Sequence, residues 1–258
     1  MQDQQLLRYS RQIMLPELDV AGQQKLLDAS VLVVGMGGLG CPLSMYLAAA
    51  GVGSLTIADD DTVELTNLQR QIAHGEHNIG EFKVDSAAAT LRGLNPDVEL
   101  TLMNTRLDGQ ELELAVKNKT VVVDATDNFT TRFAINDACL KMAVPLVSGA
   151  AIRTEGQVSV FDSRLDDSPC YQCLYREGED DDASCANNGV MAPVVGIIGS
   201  IQAMETIKLI AGIGETLAGR LLLLDALSMQ WRELRLPRDP DCPACSETAG
   251  RRPQPHKA

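Results

Sequence analysis

Val31-Leu32-Val33-Val34-Gly35-Met36-Gly37-Gly38-Leu39-Gly40 is the stretch on which the fold turns. Four consecutive aliphatic residues read as a parallel strand buried on both faces. The glycines then make a tight turn, and Leu43 to Ala50 reads as the helix behind it. A glycine there lets the backbone approach a phosphate, and the helix N-terminus offers unpaired N–H groups and a favourable dipole. Asp59 follows 19 residues after Gly40, where a dinucleotide fold places its ribose-binding carboxylate. A glycine turn used only for packing is the competing reading, and strand, helix and acid together weigh against it. Which nucleotide binds must come from the rest of the chain.

The 258 residues suit one large α/β domain, or a nucleotide half with a smaller appendage. Apolar residues make up 45% and aromatics only 3%, so the core must be aliphatic. A net charge of −13 argues against nucleic acid and against an anionic membrane surface as partners. The longest apolar run, Val190 to Met204, is interrupted by Pro193, Gly196, Gly199, Ser200 and Gln202, so no membrane span is expected. Met1 to Gln5 lacks the basic-then-apolar pattern of an export signal. A cytoplasmic, reducing setting is therefore expected, in which paired cysteines among the seven are metal ligands rather than disulfides.

Residues 5–28 read as a helical arm, with Leu6, Ile13, Met14, Leu18, Leu26 and Leu27 as apolar contacts. Strands are expected at 54–58, 98–103, 121–123 and 145–148, and helices at 84–94, 110–117 and 130–142. This alternation is the pattern of a Rossmann-like, doubly wound, mostly parallel sheet. From Gln157 the pattern changes. A strand near Val158, a long apolar helix at 194–211 and two antiparallel strands, 221–224 and 230–236, extend the sheet. The organisation expected is an arm (1–30), a nucleotide-binding half (31–150), a carrier-binding and zinc half of the same domain (151–246) and a disordered tail (247–258).

Two C-x-x-C pairs, Cys170 with Cys173 and Cys242 with Cys245, supply four thiolates, a closed tetrahedral set for structural Zn²⁺. A redox pair is the rival reading, but neither pair opens a helix in a βαβ unit. Cys185, beside the acidic run Glu177 to Asp182, is either a nucleophile or an incidental thiol. Cys41 and Cys139 read as buried helix residues without function. Asp59, Asn67, Arg70, Lys83 and Asp127, with Arg11 as a possible addition, collect at the carboxyl edge of the sheet. Singly each reads as a surface charge. Jointly, cations and a metal-holding acid suit phosphoryl chemistry on ATP better than hydride transfer.

These residues resemble the MoeB/ThiF/HesA family, itself related to the adenylation domain of ubiquitin-activating enzymes. The resemblance runs from about Leu7 to Cys245. It is carried by Arg8-Tyr9-Ser10-Arg11-Gln12, Gly35 to Gly40, Asp59-Asp60-Asp61, Asn67-Leu68-Gln69-Arg70-Gln71, Lys83, Asp124-Ala125-Thr126-Asp127-Asn128, Ser148-Gly149-Ala150-Ala151 and both C-x-x-C pairs. It implies ATP-dependent adenylation of the C-terminal glycine of a ubiquitin-fold sulfur carrier. The acyl-adenylate then passes to a downstream sulfurtransferase or cysteine desulfurase step. By the family's pattern Gly38 approaches the phosphates, Asp59 takes the ribose hydroxyls, Asn67, Arg70 and Lys83 contact the triphosphate, and Asp127 holds Mg²⁺. Arg11 reaches into the neighbour's site across a homodimer. Cys185 matches a loop cysteine that thiamine-branch members join to their carrier. The likeness is closer to the molybdopterin branch along Ser148 to Gln157 and Val190 to Ile201, with the thiamine carrier as the alternative. An NAD-dependent oxidoreductase and a non-catalytic, zinc-held scaffold are the more distant readings.

Overall fold

The computed structural model describes residues 1–176 and 189–246. Its centre is an eight-stranded sheet in the order β3-β2-β1-β4-β5-β6-β7-β8. β1 (Ser30–Val34), β2 (Ser54–Ala58), β3 (Glu99–Met103), β4 (Val121–Asp124) and β5 (Leu146–Ile152) are parallel. β6 (Glu155–Phe161), β7 (Arg220–Asp225) and β8 (Gln230–Arg235) continue the sheet antiparallel. Along β1 the side-chain period of two sends Val31 and Val33 into one apolar cluster and Leu32 and Val34 into the other. That is why the strand is apolar at every position: both faces are covered. β1 lies between β2 and β4, so the winding reverses beside it and opens a crevice at the strands' carboxyl ends.

On one face lie α3 (Asp19–Asp28), α4 (Gly40–Ala50), α5 (Lys83–Leu94) and α9 (Ala192–Ala211); on the other lie α6 (Gly109–Val116) and α7 (Phe129–Met142). α9 is 20 residues long with a mean hydropathy of 1.5, enough by length and composition to cross a membrane. It is instead 56% buried within the fold, packed on α4, β5 and β6, so it is apolar because it is a core helix.

The arm departs from the single helix expected over 5–28. It forms α1 (Asp3–Arg8), α2 (Ser10–Ile13) and α3. Tyr9 leaves helical geometry (φ −97°, ψ 10°) to bury its ring against Gly51, and its hydroxyl accepts a hydrogen bond from Asn95 Nδ2 at 2.9 Å. Pro16 enforces the second break. Gln12 and Gln23 both donate to the Ala50 carbonyl at the end of α4. The arm is therefore docked through Tyr9 and two amides. Leu18 and Leu26 are buried as expected, but Leu6 and Met14 (70% exposed) face outward.

Candidate nucleotide and metal sites

The turn after β1 can be closed only by glycine at two positions. Gly35 has φ +96°, and a Cβ there would sit 2.7 Å from the Ala125 carbonyl oxygen. At Gly40 a Cβ would lie 1.9 Å from the Gly35 oxygen. Among the described residues the N–H groups of Gly37, Gly38 and Leu39 donate no hydrogen bond, and they stand just ahead of the α4 N-terminus. Asp59, beyond the end of β2, accepts from the Met36 N–H at 2.7 Å and from the Asp61 N–H at 2.9 Å. Burial raises its pKa, and the nearby Lys83 ammonium opposes that rise. Lys83 opens α5, with Nζ 2.6 Å from Asp61 Oδ2 and 3.9 Å from Asp59 Oδ1.

A cleft of about 480 Å³ lies over this turn, and Gly38, Asp59, Asn67, Arg70, Lys83 and Asp127 all line it. Asn67 is held by accepting the Glu64 N–H at 3.1 Å, and Arg70 donates to the Thr66 carbonyl at 3.0 Å. Asp127, on the turn between β4 and α7, is exposed and takes no hydrogen bond or ion pair among the described residues. Its free carboxylate fits a hard cation. Arg11 is exposed on α2 and does not line the cleft of its own chain.

Four contributors were given no role from the sequence, although Gln71 closes the Asn67-to-Gln71 motif. Arg106, after β3, lines the cleft. Gln71 lines it too, with Nε2 3.6 Å from where a Cβ on Gly37 would stand. His74 braces the turn from beneath. Its Nε2 lies 3.0 Å from the Met36 carbonyl, an acceptor, so the proton sits on Nε2, and Nδ1 accepts from Ser86 Oγ at 2.9 Å. Burial lowers its pKa, which keeps it neutral. Arg132 braces the Asp127 turn. It pairs with Asp124 and donates to the carbonyls of Thr126 and Gly149. Asp124 in turn accepts from the Thr126 N–H and hydroxyl and from the Ser148 hydroxyl.

The two C-x-x-C pairs meet. Cys170 Sγ is 3.5 Å from Cys242 Sγ, Cys173 Sγ is 3.5 Å from Cys245 Sγ, and all four sulfurs lie within 4.8 Å of one another. A tetrahedral Zn²⁺ with ~2.3 Å bonds needs sulfurs roughly 3.8 Å apart, so the four residues fit the ion. The N–H groups of Cys170 and Asp239 point at Cys173 Sγ at 3.4 and 3.5 Å, a surround that favours a thiolate. Burial, by contrast, pushes the Cys41 thiol up to about 12 and Cys139 higher, so both are inert. Cys185, the acidic run 177–182 and the tail 247–258 lie outside the described residues.

Fold and site together define a doubly wound α/β protein with a glycine turn of unpaired N–H groups, cations lining the cleft above it and a cluster of four thiols. The profile of the ThiF family matches residues 9–244, and the chain belongs to that family. It is similar to the molybdopterin-synthase adenylyltransferase of Escherichia coli (strain K12), 48% identical over 245 residues that cover 95% of this chain and 98% of the relative. The sulfur carrier protein ThiS adenylyltransferase of the same organism is 46% identical over 245 residues, 95% of this chain and 97% of its own. The crystal structure of E. coli MccB with ATP superposes with a TM-score of 0.81 at 22% identity, covering 93% of this chain and 74% of MccB, which shows the shared fold.

Proposed function

We propose that the protein adenylates the C-terminal glycine of a ubiquitin-fold sulfur carrier, with ATP and Mg²⁺, and that the carrier is the small subunit of molybdopterin synthase. One observation carries the reading. The cleft gathers Asp59, Asn67, Arg70, Lys83 and Asp127 around the glycine turn in a chain 48% identical to a molybdopterin-synthase adenylyltransferase.

A carboxylate oxygen of the carrier attacks the α-phosphorus of ATP. The new O–P bond forms as the bond to the bridging oxygen breaks, and pyrophosphate leaves with the electron pair. Charge grows on the phosphate oxygens, where fixed cations stabilise it most. Asp59 accepts from the ribose hydroxyls, Gly38 lets the phosphates close on the backbone, and Asn67 and Arg70 contact the triphosphate. Lys83 exchanges Asp61 for phosphate oxygens. Asp127 is the residue that would hold Mg²⁺, which when bound neutralises phosphate charge. Cys170, Cys173, Cys242 and Cys245 would hold Zn²⁺ with no open position, so the metal ties the chain's end to α8 (Tyr171–Leu174) and takes no part in the chemistry.

Arg11 acts on the partner's site in a cytoplasmic homodimer. Its exposure outside its own cleft supports this, as do Leu7 (78% exposed), Met14, Leu15 and Val20, an apolar set on the same arm. The acyl-adenylate is consumed by a separate sulfurtransferase or cysteine desulfurase step. The thiamine sulfur carrier is the second reading, favoured by the 46% identity to the ThiS adenylyltransferase. ATP–pyrophosphate exchange with each carrier tests both, and intact-mass analysis of a carrier mixture tells them apart. Failure to exchange with any carrier would sink the adenylation reading.

A further inference from the structure

Met36 and Gly37 share one trans peptide, which is planar, so its C=O and N–H point apart. The Met36 carbonyl is turned into the core. His74 Nε2 donates to it at 3.0 Å, and the Cys41 thiol, kept neutral by burial, lies 3.4 Å from it. The Gly37 N–H is thereby turned the other way, toward the cleft that Gly37 lines, and meets no acceptor among the described residues. The turn alone does not secure this orientation. A peptide that precedes glycine can rotate by about 180°, the step that converts a type I turn into type II, because glycine accepts the positive φ of the rotated form. Gly37 is not in that left-handed region. After such a rotation the Met36 oxygen would face the cleft, an acceptor in place of a donor. His74 is the firmest hold against it. Its ring is fixed from the far side by Ser86 Oγ on α5, which donates to Nδ1 at 2.9 Å, and its backbone N–H donates to the Gln71 carbonyl.

We infer that His74 is a positioning residue for the nucleotide site: it locks the Met36–Gly37 peptide with its oxygen inward and its N–H toward the ligand. This role deepens the adenylation reading and rests on it. An anion is attracted by backbone N–H groups and repelled by carbonyl oxygens, so the two orientations of this one peptide act with opposite sign on a phosphate. A protein divided between them would bind with an affinity reduced by the fraction in the competent form, and the lock removes that loss before the ligand arrives. The chain from Ser86 through His74 to Met36 also ties the glycine turn to α5, the helix that Lys83 opens, so the turn is held in register with the lysine of the site. AMP carries an anionic group that senses the peptide's orientation; adenosine does not.

The test uses the zinc-loaded full chain. Met36-Gly37 is the single Met-Gly step in the sequence, so isotope labelling of methionine carbonyls and glycine nitrogens gives one correlated NMR signal that reports both ends of this peptide. In the wild type AMP should shift the Gly37 amide and adenosine should not; no shift with AMP overturns the inference without any variant. In His74→Leu the signal should move or double in the ligand-free protein. By calorimetry below the melting temperature of every variant, AMP affinity should fall by roughly tenfold or more and adenosine affinity by less than about twofold. His74→Phe repeats the loss in a flat ring in case leucine packs badly. His74→Gln sets an amide N–H near the place of Nε2 and should return both the signal and AMP affinity toward wild type. A signal or an AMP affinity unchanged in both apolar variants overturns the lock. So do equal losses for AMP and adenosine, or a glutamine variant that recovers its melting temperature without AMP affinity, since either marks a merely structural histidine. Wild-type protein that binds neither AMP nor adenosine overturns the adenylation reading itself, before any variant is compared.

Discussion

Replacing Arg132 with methionine isolates the brace beneath the Asp127 turn. The Asp124 side chain is 1% exposed and that of Arg132 7%, with Nε 3.8 Å from Oδ2. Nη2 donates to the Thr126 carbonyl at 2.5 Å and to the Gly149 carbonyl at 3.2 Å. Methionine preserves the aliphatic stem but strands a buried carboxylate and removes a donor from two carbonyls. Breaking such a pair from one side costs about 3–5 kcal/mol. At about 2–4 °C per kcal/mol for a chain of this size, the melting temperature falls by roughly 6–20 °C. Circular dichroism melts of Arg132→Met, Asp124→Asn and the double variant measure it. In the double variant neither charge is left buried, so its loss should be smaller than the sum of the single losses by at least about 1 kcal/mol. A single variant that melts within about 2 °C of the wild type, or an additive cycle, would refute the assignment of this pair as the turn's support.

Further outcomes follow from the same geometry. Cys242→Ser should abolish stoichiometric zinc by metal analysis and remove stabilisation on the order of 10 kcal/mol; wild-type protein that carries no zinc after refolding with the ion contradicts the knuckle. Asp59→Asn should raise ligand-free stability near neutral pH while weakening ATP binding. The sign follows from the raised pKa: the contribution of Asp59 is fully present below its unfolded value of 3.8 and is lost as pH rises through the folded value. The variant's advantage should thus vanish in melts below about pH 3.8, and an advantage independent of pH would count against burial as the cause. Arg11→Ala and Asp127→Ala homodimers should both be inactive in pyrophosphate exchange, yet a mixture should regain activity, because one mixed site then has both groups. No recovery on subunit exchange argues that Arg11 does not act across the dimer.

What could be read from the chain beforehand divides along a physical line. The glycine turn, β1, α4 and the acid at the end of β2 obey local rules: strand burial on two faces, steric exclusion at Gly35 and Gly40, and a fixed distance to Asp59. The thiol spacing is likewise set by coordination geometry. His74 and the burial of Gln71 were not legible, because both sit in a polar stretch and become buried only when it folds back over the turn. Tyr9 defeated the single-helix reading for a related reason: its burial is determined by Gly51 and Asn95, far along the chain. Arg132 left a usable sign. An acid at the buried end of β4 needs a cation, and Arg132 stands in the first turns of the helix that follows.

The residues around the two turns fall into two kinds, and the difference bears on how the site works. His74 and Arg132 satisfy backbone carbonyls of the two turns, so they fix shape. Gln71, Asp59 and the N–H groups of Gly37, Gly38 and Leu39 do the opposite, since each keeps hydrogen-bonding capacity or charge that the protein only partly meets. A chain under selection for stability alone would pair them or replace them with apolar groups, which is often neutral or favourable. Their concentration on one cleft, above rigidly braced turns, is what preorganised stabilisation of a charged ligand requires: donors and a desolvated acid held in place beforehand, so that little reorganisation remains when charge develops. Removing a brace should therefore lower stability, whereas removing one of the unpaired or desolvated groups should weaken binding and leave ligand-free stability equal or higher; a brace whose loss left the melting temperature unchanged, or a group of the second kind whose loss lowered it, would show that the division is wrong.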